Sequence, residues 1–167
     1  MHLAITDLFR AKWTNAIQEE WISSLLKNRP DLTREKLERT RALMEKSAEE
    51  CLVENYESLI EGLVLPDQND RHVLAAAIKS GAAVIVTFNL EDFPLAALKP
   101  YDLEAQDPDT FICHLLHLNP ALVCTAAKRQ RNNLRNPPRS IKEFLDILRA
   151  HRLPRAVDIL AGYAELL

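Results

Sequence analysis

The sequence predicts a helix-rich α/β protein with a small parallel sheet and a helical carboxyl-terminal part. Three observations predict it. Capped helical segments dominate the chain, as amphipathic periodicity and N-cap residues mark them. One Ala-rich segment, VLAAAIKS, is closed by Gly81. Directly after that glycine comes AAVIVTF, a short apolar run rich in β-branched residues, as expected of a strand buried on both faces. Helix, glycine stop and buried strand in succession are the pattern of an α/β layer.

Taken in order, Phe9–Trp13 alternates and can form a minor strand. Thr14 then precedes a helix whose apolar stripe is Ile17, Trp21 and Leu25, ending near Asn28–Pro30. Asp31 or Thr33 opens a charged helix reaching about Glu50, with Leu32, Leu37, Leu43 and Met44 on its apolar side. Pro66 and Asp67 break the chain, and Asp70 takes the N-cap position of the Ala-rich helix, with Gly81 at its C-cap. The strand over AAVIVTF follows, and a second short strand is expected at Leu103–Ala105. Beyond Asp109 the chain is helical again, broken at Asn119-Pro120 and Asn136-Pro137-Pro138, with Ser140 and Glu143 spaced as a capping box. The expected division is a body over residues 1–118 and a helical extension packed on it over 119–167.

Composition excludes several classes. The 167 residues suit one ordinary domain, and 47% apolar content with mixed charge is not that of a disordered chain. The three glycines, Gly62, Gly81 and Gly162, are too far apart for a dinucleotide turn or a phosphate loop. Cys51, Cys113 and Cys124 are odd in number and lack C-x-x-C spacing, against a disulfide framework. Cys113, His114, His117 and Cys124 match no zinc spacing and are expected to be core or surface residues. No run approaches the roughly 18 apolar residues of a membrane span, and the amino terminus lacks signal-peptide character, so a cytoplasmic location is expected.

Two constellations can carry chemistry. Asp70 begins a helix, while Asn89 and Asp92 lie just past the carboxyl end of the buried strand, where open α/β sheets place their sites. Hard oxygen ligands of this kind suit Mg²⁺ or Mn²⁺. The plainer alternative is that Asp70 only caps and Asp92 only turns; spacing alone leans that way. Glu20 borders the apolar stripe of the first helix and Glu19 points away, so Glu20 can reach inward. The second constellation is electrostatic. Residues 128–155 hold nine Lys or Arg against two acids, a net +7 that leaves -10 on the rest of the chain. Lys128, Arg129, Arg131, Arg135 and Arg139 can neutralise a phosphate backbone. The alternatives, which nucleic acid leads by a modest margin, are a solvated face or a dock for an acidic partner.

The stretch LPDQNDRHVLAAAIKSGAAVIVTFNLEDFP, with FRAKWTNAIQEEW upstream and LRNPP downstream, resembles PIN-domain proteins of a VapC-like, toxin-related branch. The resemblance implies a parallel sheet flanked by helices and an acidic cluster binding Mg²⁺ or Mn²⁺. It also implies hydrolysis of RNA phosphodiesters and, for toxin members, an antitoxin partner. Carried over by position, Glu20, Asp70 and Asp92 are the catalytic and metal-binding acids, with Glu19 as fallback to Glu20. Asn89 is a further metal ligand and Thr87 its polar neighbour. The family usually begins with a strand bearing a first aspartate. This sequence starts at HLAITDLF, read as already inside the following helix, with Asp7 in that helix rather than in the ligand set. The expectation is therefore a PIN-like fold lacking its central first strand, with weak metal binding and low or absent activity. A degenerate, non-catalytic module that binds a protein or dimerises by strand exchange is the alternative.

Overall fold

Thr14 starts the first helix through its own side chain, whose Oγ1 accepts from the Ile17 amide at 3.1 Å. The structure is a computed structural model that describes residues 3–4, 6–48, 50–135 and 137–167. It divides into two bodies: residues 10–85 with 89–105, and the described residues up to 9 with 86–88 and 106–167.

In the first body, α1 (Asn15–Asn28) buries Gln18 and Ile22, one position round from the expected stripe. Ile17, Trp21 and Leu25 are half-buried instead. A polar residue takes the inner line because the Gln18 side-chain carbonyl accepts from the Trp21 indole at 2.7 Å. Thr33 caps α2 (Arg34–Ser47), which ends three residues short of the expected Glu50. Only Leu37 of α2 is buried, and Leu43 faces solvent. The polar face of α2 is laced by Arg34–Glu38 and Arg41–Glu45 ion pairs one turn apart. The strand expected over Phe9–Trp13 reduces to one parallel bridge between Trp13 and Leu52. Its short partner segment pairs only with the Trp13 backbone, Val53 donating to it and Cys51 accepting from it.

The core of this body is formed by α3 (Glu57–Ile60), α4 (Arg71–Ser80) and α5 (Leu95–Leu98) with the chain between them. Leu74, Ala75, Ala76 and Ala77 of α4 pack with Leu63, Leu65, Ile85 and Phe93. Gly81 ends α4 with φ at +63°, a left-handed cap that glycine adopts without steric cost. The strand that follows, β1 (Val84–Val86), pairs in parallel with β2 (Glu104–Gln106). Glu104 lies one residue beyond the expected start of the second strand. β1 is not buried on both faces: Ile85 is buried, but Val86 is 44% exposed. Among the described residues the sheet has two strands, and Ile85 and Val86 point to its opposite faces, one covered and one open.

The second body is helical. Asp107 caps α6 (Pro108–Leu118), accepting from the Thr110 amide and hydroxyl at 3.0 and 2.6 Å. Asn119 caps α7 (Pro120–Asn133) by accepting from the Leu122 amide. Both helices place proline in the first turn, where no amide is needed. Asn136 of the expected Asn-Pro-Pro break lies outside the described residues. The capping box forms as spaced: Ser140 starts α8 (Ile141–Ala150), and Glu143 accepts from the Ser140 amide at 2.8 Å. Last comes α9 (Pro154–Ala161). Cys113, Leu116, Val123, Phe144, Ala156 and Leu160 meet in the core. Asp109 on α6 is 5% exposed and accepts from the Arg155 and Ala156 amides at 3.0 and 2.8 Å, so it caps α9 from another helix. Asp7 is not helical; it sits in a bend with φ at +58°. Among the described residues, no helix is long and apolar enough to cross a membrane.

Candidate active site

Asp70 stands at the junction of a 3-10 turn (Gln68–Asp70) and α4, but its side chain makes no cap hydrogen bond. Asp67 does the local capping instead, its Oδ1 accepting from the Asn69 amide at 2.8 Å. The carboxylate of Asp70 is thus released from structural duty, contrary to the plainer reading of its position. Partial burial pushes the Asp70 carboxyl up from its ordinary value, and the negative charges of Asp92, Asp67 and Glu20 push it further. The imidazole of His72 opposes them.

The neighbouring acids come from separate elements. Asp92 ends the 3-10 turn Leu90–Asp92 that follows β1, and its Oδ2 accepts from the Asn89 side-chain amide. The turn thereby presents the amide and the carboxylate together. On α1, adjacent glutamates part company. Glu19 pairs with Arg34 at 2.6 Å and accepts from Ser23, and the Arg34 guanidinium pulls its carboxyl down. Glu20 instead brings its Oε1 within 2.9 Å of His72 Nε2 on α4. That imidazole is largely buried, and neither of its nitrogens has a hydrogen bond of good geometry among the described residues.

The donors are hard oxygens crowded by their own charge, which is the chemistry a divalent cation relieves. Among the described residues, however, no three His, Cys, Asp or Glu close on one point as a finished metal cage. Cys113 and Cys124 are buried free thiols pushed up by burial, and His114 meets the Gln106 side chain. Thr87 donates its amide to the Gln106 carbonyl beside β2.

The basic segment lies in the helical body. Lys128, Arg129 and Arg131 are on α7; Arg135 sits in the turn beyond it, bridged to Pro138, and Arg139 precedes the α8 cap. Lys128, Arg129 and Arg135 are exposed and form no ion pair among the described residues. Arg131 is partly withdrawn, donating to the Arg139 carbonyl, and Arg139 lies 3.5 Å from Glu143. Sequence reasoning missed Asp67 and His72. The signal for Asp67 was a second capping residue three positions before Asp70; for His72 it was the i+2 position next to a proposed ligand.

Residues 108–162, from the first residue of α6 to just past α9, match the family described as the VapC50 C-terminal domain. A 49-residue stretch is 57% identical to "Putative ribonuclease VapC50" of Mycobacterium tuberculosis (strain ATCC 25618 / H37Rv). The carboxyl-terminal third of the chain is thus similar to the C-terminal domain of VapC50. The similarity to the VapC50 protein spans 29% of this chain and 29% of that relative. The VapC50 domain match contains the whole basic segment and none of Glu20, Asp70, Asn89 and Asp92. No solved structure matches the chain.

Proposed function

We propose that this protein is a VapC-like, divalent-metal-dependent endoribonuclease, the toxin of a toxin–antitoxin pair, acting in the cytoplasm. The observation that carries the reading is Asp70: a carboxylate freed from capping and crowded by Asp92, Asp67 and Glu20. The relative's printed name, a ribonuclease, agrees with it. Glu20, Asp70 and Asp92, with Asn89, would hold Mg²⁺ or Mn²⁺. The ion would supply Lewis-acid activation of water and charge neutralisation at phosphorus. Asn89 keeps the Asp92 carboxylate oriented by donating to it, and Glu20 lies beside the largely buried His72, its Oε1 2.9 Å from the imidazole Nε2. Lys128, Arg129, Arg131, Arg135 and Arg139 would bind the RNA backbone through its phosphates. In this reading residues 1–118 carry the nuclease chemistry and 119–167 the helical extension that brings most of the positive charge.

Among the described residues no three acids or other ligands close on a point, which favours a second reading: a non-catalytic PIN-like module that binds an antitoxin or pairs with itself as a homodimer or strand-exchanged oligomer. Incubation of single-stranded RNA with the protein at millimolar Mg²⁺ or Mn²⁺ separates the two. The enzyme reading expects cleavage that chelation stops and Asp70→Asn abolishes. No cleavage with either ion, or cleavage that survives Asp70→Asn, overturns it.

A further inference from the structure

Phe88 is set apart from the other phenylalanines. Of the five, Phe93 and Phe144 are buried at 5% and 1% exposure, and Phe9 packs edge-to-face on Phe111 at 5.1 Å. Phe88, two residues past β1, is 48% exposed. Leaving half a benzyl side chain in water forfeits burial energy that the other phenylalanines collect in the core or against one another.

The ring is not simply loose. The guanidinium of Arg152 lies over it, 4.6 Å from the centroid. Arg152 occupies the turn between α8 and α9 with φ at +65°, a left-handed conformation that costs a non-glycine residue about 1 kcal/mol or more. The turn thus holds an unfavourable backbone while delivering a cation onto an exposed aromatic face. Arg152 also belongs to the segment 128–155 that carries the net +7. By chain order, Phe88 immediately precedes Asn89, one of the residues proposed above to hold the metal.

We propose that Phe88 and Arg152 form a stacking platform for one unpaired nucleobase of the RNA substrate. The proposal rests on the ribonuclease reading and adds to it a base-contacting residue. Its chemistry needs an aromatic face, a cation that anchors the ring and neutralises a nearby phosphate, and a single-stranded ligand whose bases are free to stack. Phe88 is the contact residue; Arg152 is a positioning residue that acts through the ring.

The test uses the full chain with chelator present, so that binding is read without cleavage. The probe is a single-stranded RNA oligomer carrying 2-aminopurine, whose fluorescence reports stacking. Phe88→Leu is expected to weaken binding by about 5- to 150-fold, the range for one lost base–aromatic stack, and to abolish the fluorescence change. Phe88→Trp is expected to restore both. Arg152→Met is expected to reduce the fluorescence change more than a loss of one charge reduces affinity. Undiminished binding by Phe88→Leu overturns the platform and assigns the exposed ring to a protein contact. Such a failure leaves Asp70-dependent cleavage intact, whereas failure of the ribonuclease reading removes cleavage from the wild type. A wild-type chain that binds no RNA under chelation, yet cleaves it when Mn²⁺ is added, overturns the platform alone.

Discussion

Asp67 accepts from the Asn69 amide, so the carboxylate three residues later is left to repel its neighbours. A group whose folded value is raised binds more protons folded than unfolded, so it costs stability where it must ionise and costs nothing once both states are protonated. Asp70→Asn, which resembles the protonated form, is therefore expected to raise Tm at neutral pH without metal. The gain should shrink as pH falls through the raised range and vanish below the ordinary carboxylate range, near pH 4. Thermal unfolding at pH 7 and pH 3 checks this. Asp109 is the opposite kind of acid. It is buried and fully committed to the Arg155 and Ala156 amides, so Asp109→Ala leaves two donors without a partner. A loss of about 2–4 kcal/mol in urea unfolding is expected, the upper range for buried charged hydrogen bonds.

At the scale of elements, caps were the most readable part of the chain. Thr14, Thr33 and the Ser140–Glu143 box each start a helix through a short-range hydrogen bond, and short-range chemistry is written in adjacent residues; Asn119, read only as a break, caps in the same way. Gly81 was readable for the same reason. Gly81→Ala meets nothing within 4 Å, so its cost is backbone conformation alone. About 1–2 kcal/mol of destabilisation is expected from the left-handed φ, measurable by denaturant titration. What lay beyond the sequence were long-range choices. The face that α1 turns inward lies one position round from the stripe the sequence marks, and the exposure of Val86 depends on what packs over its face of the sheet. Position along the chain placed Asp70, Asn89 and Asp92 near the sheet's carboxyl end. It did not say that Asp67 would take over the capping, which decides whether Asp70 is available for chemistry.

Across the whole molecule, a mild net charge of -3 conceals the basic run that the VapC50 domain match encloses. If that run binds RNA by releasing counterions, affinity falls linearly in log salt, with a slope near 0.7 per phosphate contacted on a single strand. Replacing Lys128, Arg129 and Arg135 with Gln is expected to reduce that slope by about 2, read from binding isotherms between low and moderate salt. The same variant should keep the wild-type Tm, because these side chains are exposed and unpaired among the described residues. The central claim concerns the acidic end of the chemistry, and calorimetric titration of Mn²⁺ into the metal-free full chain tests it most directly. The carboxylate account predicts one saturable site, weakened at least about tenfold in Asp70→Asn, since even residues behind the direct ligands are worth 10–100-fold in metal affinity. Absence of saturable binding, or binding undiminished in Asp70→Asn, would contradict it.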